Sequence, residues 1–293
     1  MSADALLKGI LLHTYILLPR VIRSRLCRNK VTILLYHQIS PELFDSHIAF
    51  LMNHYNLIKL KRLKQFLYKK DNDTLPPNSL VVTFDDGWRG NFELLPVIRK
   101  YNCPVTIFLP TGLVGTRRKI WNYSLDRENN ESELNEFLKN VRNQEKNESL
   151  LMHNGYFPEK EYQERDLLSF KEIERMSPYV DFQSHGQFHP VLTMCSDAEL
   201  SEELSKSKEY IEKNLGHECY AIAYPYGRYD QRVRDLAHGA GYSLGRTTKS
   251  LLVNTSETDP YRLTAIGIDE NSGVRYLGKK IALAELKTIL RVS

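Results

Sequence analysis

From about residue 31 onward, apolar and polar positions fall into short blocks of two kinds. Val31–Tyr36 (VTILLY), Leu80–Phe84 (LVVTF) and Val105–Leu109 (VTIFL) are brief, nearly unbroken hydrophobic runs rich in β-branched residues, as buried strands are. Leu60–Tyr68 has helical spacing with a lysine-rich outer face, and Asn91–Lys100 also reads as a helix. Val180–Gln183 and Cys219–Tyr224 read as strands, Asp197–Leu215 and Asp230–Ala240 as helices. Two short strands near 242–246 and 261–267 precede a last helix near 279–291. Between about 126 and 149 the chain is polar and acid-rich, which predicts a helical insertion or a mobile excursion. Strands separated by helices of this length indicate an α/β fold of parallel βα units. No internal repeat or flexible linker divides residues 31–275, so they are expected to form one domain, with 276–293 as a C-terminal helix.

The N-terminal 30 residues have a different character. Residues 5–18 are mostly apolar but are interrupted by Lys8, Gly9 and His13, stop near Pro19, and are followed by Arg20, Arg23, Arg25, Arg28 and Lys30. A membrane span wants about 20 apolar residues, more than this run offers. A cleavable signal peptide would carry its positive charge ahead of the apolar stretch and a small-residue cleavage site after it, and neither is present. Two readings remain open. One is an interfacial helix over residues 5–30, making peripheral membrane contact with its arginines toward anionic headgroups on the cytoplasmic face. The other is a helix packed on the domain's own surface.

Composition narrows the function classes. Forty basic against 36 acidic residues leave a net charge of +4, a small excess for a protein that binds phosphate backbones, so no nucleic-acid partner is expected. The four cysteines, Cys27, Cys103, Cys195 and Cys219, form no Cys-x-x-Cys pair and read as buried thiols. No Gly-x-Ser-x-Gly elbow, P-loop or dinucleotide glycine fingerprint occurs.

Three short segments, each at the end of an expected strand, carry candidate chemistry. Thr83-Phe84-Asp85-Asp86-Gly87 sets two carboxylates before a glycine turn, where one is free to bind a metal while its neighbour faces substrate; alone, such a sequence is also an ordinary surface turn. Ser184-His185-Gly186-Gln187-Phe188-His189-Pro190 holds two imidazoles four residues apart, able to converge on one ion if the backbone curls. Together with a strand-end Asp they make a two-His, one-carboxylate set suited to zinc or a similar divalent ion. Ala223-Tyr224-Pro225-Tyr226-Gly227-Arg228-Tyr229-Asp230 is either a turn whose N–H groups face developing negative charge or a plain strand-to-helix connection.

In this order the three segments resemble the polysaccharide deacetylases of the NodB-homology type, carbohydrate esterase family 4, over about residues 31–275. The resemblance implies a deformed (β/α) barrel with fewer than eight clean repeats. It implies that Asp86, His185 and His189 hold one divalent ion, zinc first among the candidates, with Asp85 as the base for the attacking water and the backbone N–H of Tyr226 toward the oxyanion. Trp121 and the Gly241-Tyr242 pair also match the family, and Gly186 stands where Ser or Thr is common. The implied substrate is an N-acetylated glycan or a lipid-linked sugar.

Two family features are missing. An arginine expected shortly before Pro-Tyr is absent from Ala221-Ile222-Ala223-Tyr224, and no histidine follows His238 to form the late Leu-x-His. His37, in Tyr36-His37, is similar to the Tyr-His on the first strand of poly-N-acetylglucosamine deacetylases, and so is the expected general acid. Arg262 is the expected replacement for the arginine that holds Asp85. The alternative is a carbohydrate-binding pseudoenzyme with the same fold. A phosphatase built on Asp-Asp would separate its carboxylates by one residue, and a membrane scaffold would leave the His and Asp constellation without a role.

Overall fold

The structure, a computed structural model, describes residues 25–27, 29–69, 74–125, 132–255 and 258–290. Most of the proposed membrane-surface segment, residues 5–24 and 28, therefore lies outside the described residues. Among the described residues, no helix is long and apolar enough to cross a membrane.

Nine strands form one sheet: β1 (Lys30–Tyr36), β2 (Asn56–Leu57), β3 (Ser79–Phe84), β4 (Val105–Leu109), β5 (Val180–Ser184), β6 (Ala221–Ala223), β7 (Leu244–Arg246), β8 (Val253–Asn254) and β9 (Ile266–Gly267). Their order is β7-β6-β5-β4-β3-β1-β8, with β2 on β3 and β9 on β1. Every pairing is parallel except β1 with β8. The stretch 263–267 draws the two ends of the sheet together. Leu263 bridges Arg246 at the end of β7, while Ile266 and Gly267 pair with Leu34 and Leu35 of β1. The sheet thus curls into a distorted barrel with fewer than eight regular βα units, as the family resemblance implied.

The alternation of β1 shows how the strands divide two cores. Val31, Ile33 and Leu35 pack with Val81, Phe108, Ala223, Leu244 and Leu263 on one face. Leu34 and Tyr36 join Val82, Phe84 and Ile107 on the other, beneath α1 (Pro41–His54) and α9 (Val274–Leu290), which contribute Phe44, Ile48, Leu51, Leu277, Ile281 and Ala284. Each large side chain fully buried this way contributes on the order of 1.5–3 kcal/mol. The remaining helices are α2 (Leu60–Lys69), α3 (Leu95–Tyr101), α4 (Ser132–Leu138), α5 (Asn143–Asn154), α6 (Phe170–Met176), α7 (Asp197–Leu215) and α8 (Gln231–Gly239). All four cysteines are buried, as expected.

Several boundaries differ from the sequence reading for physical reasons. The helix expected over 91–100 is a 3₁₀ segment, Arg89–Leu94, followed by α3, whose first turn holds Pro96; a ring without an N–H belongs at a helix start and not in its interior. The last helix begins at Val274 instead of about 279, and Leu277 lies in the same core as β1. The acid-rich stretch, described from residue 132, carries α4 and α5 joined by a short turn over 139–142. α7 starts at Asp197 as read, with Ser196 and Glu199 forming a reciprocal capping box.

Candidate active site

β3 delivers the paired carboxylates. Thr83 Oγ1 donates to the Leu34 carbonyl at 2.7 Å, and the Asp85 N–H donates to the Tyr36 carbonyl at 2.9 Å, so β1 grips β3 as far as Asp85. The chain then turns through two consecutive left-handed residues, Asp86 at φ 68° and Gly87 at φ 60°. A Cβ on Gly87 would lie 2.5 Å from Leu109 Cδ2, so the turn requires glycine there. At Asp86 the same conformation carries about 1–3 kcal/mol of strain. It separates the directions of the two carboxylates.

β5 delivers the imidazoles. The His185 N–H donates to the Leu109 carbonyl at 2.8 Å, and its ring Nδ1 lies 2.7 Å from the Ala223 carbonyl. A carbonyl only accepts, so Nδ1 carries the proton and Nε2 is left to act as a ligand. His189 sits at φ 57°, another left-handed residue, which turns its ring back toward His185. The Nε2 atoms of His185 and His189 lie 3.5 and 3.3 Å from Asp86 Oδ1. One ligand atom from each of the three residues falls within 4.8 Å of the others, and all three residues are buried.

The electrostatics suit a cation at that point. Burial works to raise Asp86, but the His185, His189 and His37 imidazoles outweigh it and hold the carboxyl below its usual range. Burial pushes His189 down to about 3, which favours the neutral ring. Burial also works against protonation of His185, yet the Asp85 and Asp86 carboxylates raise it overall. A divalent ion would take the place of that proton. Asp86 Oδ2 accepts from Trp88 Nε1 at 3.1 Å, whereas Oδ1 is buried without a hydrogen-bond partner and faces both histidines. A buried, unpartnered carboxylate oxygen opposite two Nε2 atoms is the donor set of a divalent metal site, and the residues present fit one.

Asp85 stands beside this triad. Its Oδ2 is 3.8 Å from His185 Nε2, and its Oδ1 accepts from Arg246 Nη2 in a fully buried ion pair. The arginine that meets Asp85 is therefore Arg246, not Arg262. Arg262 is exposed and donates from Nε to the Tyr229 hydroxyl at 2.7 Å. Arg246 lies at the end of β7, its guanidinium 5.2 Å from the Phe108 ring centroid and its Nη1 donating to the Thr247 carbonyl at 3.2 Å. A charged residue closing the short run Leu244-Gly245-Arg246 was the one available signal in the sequence.

His37 follows β1, half-buried, near enough to act electrostatically on both Asp86 and His189. It lines an open depression of about 700 Å³ with Asp269, Asn271 and Tyr276. Tyr226 is the third left-handed site residue, at φ 59°. Its ring lies 4.8 Å from that of His189 and 5.9 Å from that of Trp121, and its hydroxyl donates to Asn122 Oδ1 at 2.9 Å. The structure thus gathers Asp85, Asp86, His185, His189 and Tyr226, sets His37 within electrostatic reach of Asp86 and His189, and leaves Arg262 outside.

The family model described as polysaccharide deacetylase matches residues 72–245, which include every one of these residues except His37, Arg246 and Arg262. The chain belongs to the polysaccharide deacetylase family. Among its relatives in this family, the Staphylococcus aureus protein named poly-beta-1,6-N-acetyl-D-glucosamine N-deacetylase is 26% identical over 236 residues, 77% of this chain and 66% of that protein. The Staphylococcus epidermidis protein of the same name is 25% identical over 248 residues, 80% of this chain and 70% of that protein. The chain thus spans slightly under two thirds of the Staphylococcus aureus relative. Solved structures share the fold. The Streptococcus pyogenes deacetylase PplD, in complex with acetate, has a TM-score of 0.63 at 23% identity, covering 86% of this chain and 98% of that one. IcaB from Ammonifex degensii has a TM-score of 0.61 at 18% identity, covering 87% and 97%.

Proposed function

We propose that this chain is a metal-dependent N-deacetylase acting on N-acetylhexosamine units of a glycan or lipid-linked sugar. The observation that carries the reading is the convergence of Asp86 Oδ1 with the Nε2 atoms of His185 and His189, beside a second carboxylate fixed by Arg246. A two-His, one-carboxylate set favours zinc among the common divalent ions. The name borne by the staphylococcal relatives favours a β-1,6-linked N-acetylglucosamine polymer as substrate.

Asp86, His185 and His189 would hold the ion, which when bound supplies Lewis-acid polarisation of the acetyl carbonyl and of water. Asp85 takes a proton from the water as its oxygen bonds to the carbonyl carbon. The salt bridge to Arg246 keeps this base oriented, with Oδ2 on the side of His185. The Tyr226 N–H is assigned to the oxyanion, and the Tyr226 and Trp121 rings wall the histidine side of the site. The C–N bond then breaks, with His37 giving a proton to the departing amine, so that water and N-acetyl sugar become acetate and amino sugar. The pseudoenzyme reading rested on two missing motif residues, and Arg246 now fills the role of one of them.

Acetate release from a panel of N-acetylated oligosaccharides and lipid-linked sugars, with and without chelator, tests this assignment. Release that chelation abolishes is expected; no release from any member by zinc-replete protein refutes it. The leucine- and arginine-rich residues 5–30 are assigned, within the same proposal, to peripheral contact with an anionic membrane surface.

A further inference from the structure

The loop between the two histidines has an anchor that the motif does not contain. Gly186 has no side chain with which to tie the loop, and it adopts φ 78°. Glu203, on α7 and 17 residues further along the chain, places Oε2 against the loop instead. It accepts from the Gln187 N–H at 2.6 Å and from the Phe188 N–H at 3.0 Å. Glu203 is 8% exposed. A Cβ built on Gly186 would approach this same Oε2 to 3.0 Å, so the glycine and the glutamate occupy complementary space.

The two histidines are oriented differently. His185 is aimed by its own ring, through Nδ1 on the Ala223 carbonyl. His189 Nδ1 is buried without a hydrogen-bond partner. With no hydrogen bond from Nδ1, the His189 ring is directed by its packing against the Tyr226 and His185 rings and by its left-handed backbone, and so by whatever holds residues 186–188 before it. That is the Glu203 carboxylate, with the Thr111 N–H donating to the Gly186 carbonyl at 3.1 Å and the Gly112 N–H to the Gln187 carbonyl at 2.8 Å. Lys146 of α5, itself 4% exposed, acts electrostatically on Glu203 and lines with it a cavity of about 360 Å³ behind the loop.

We infer that Glu203 is a positioning residue: it fixes the backbone that aims His189 and so sets the affinity of the Asp86, His185 and His189 triad for its ion. The inference rests on the metal-site reading proposed above but not on the identity of the substrate.

The test is zinc and cobalt binding to the full chain, by competition with a chromophoric chelator, with the visible absorption of the cobalt form as a report on ligand geometry. Glu203→Ala should weaken metal binding by about 10- to 100-fold, as loss of a residue that orients a ligand does, and should alter the cobalt spectrum. Glu203→Gln keeps an acceptor oxygen and should recover part of that loss; it also serves as the readable variant if the alanine protein does not fold. Gly186→Ala should weaken binding in the parent by displacing the carboxylate, and should add less in the Glu203→Ala background, where that contact is gone. An unchanged dissociation constant and spectrum in Glu203→Ala, with only a lower melting temperature of the metal-free protein, would overturn the inference, as would strictly additive losses in the pair. A parent protein that binds metal but releases no acetate sinks the proposed activity while leaving this inference standing; one that binds no metal sinks both.

Discussion

Replacing Arg246 by methionine isolates the contact that fixes the proposed base. The substitution keeps much of the side-chain length in a site that is 1% exposed and removes the partner of Asp85, itself 3% exposed. Breaking a buried ion pair from one side leaves an uncompensated charge, worth about 3–5 kcal/mol of destabilisation. Unfolding entropy of about 2.1 cal/mol/K per residue over 293 residues amounts to about 0.6 kcal/mol/K, so the expected fall in melting temperature is about 5–8 °C. Turnover should fall by about 10²-fold through misplacement of the carboxylate. Both effects should shrink in an Asp85→Asn background, because neutralising the acid removes what the guanidinium balances. Thermal melts and acetate release on the two single variants and the double variant complete the cycle. Arg262→Met is the control and should change neither quantity appreciably, since its side chain is exposed and its guanidinium meets Tyr229 at the surface. Full turnover and an unshifted melt in Arg246→Met, or equal penalties with and without the Asp85 charge, would refute the reasoning.

Elemental analysis of zinc-replete protein should find about one divalent ion per chain, and Asp86→Ala or His185→Ala should empty the site; a parent free of metal counts against the triad. His37→Ala should lower acetate release by about 10²-fold or more if His37 protonates the leaving amine, and a change within about twofold would remove it from that role. Deleting residues 1–28 should weaken binding to anionic vesicles without abolishing hydrolysis of a short soluble substrate; vesicle binding that survives the deletion removes the segment from membrane contact.

The parts of the fold legible in the sequence are those whose signal is local. β4 needs only the proline-bounded run Val105–Leu109, and α7 announces itself through Ser196 and Glu199 at its start. α1 is hard to read from the sequence: Phe44, Ile48 and Leu51 recur at helical spacing, but its polar residues break any continuous apolar run. The site divides in the same way. Asp85, Asp86, His185 and His189 stand in compact motifs that name their own chemistry. The partner of Asp85 does not, because Arg246 lies 161 residues away and only closure of the sheet brings the two together. Nothing local distinguishes Arg262, the expected replacement, from an ordinary arginine on the surface, where the structure places it. Glu203 was hidden for the same reason: its acceptors' partners are main-chain groups, which carry no side-chain identity to read.

Asp86, His189 and Tyr226 all hold positive φ angles, at about 1–3 kcal/mol apiece, so in the candidate pocket shape and durability are at odds. A library of variants sorted for heat resistance alone should drift toward glycine or asparagine at these three positions and grow hardier as it grows inert. Any thermostabilisation campaign on this scaffold must therefore hold them fixed and seek its gains elsewhere.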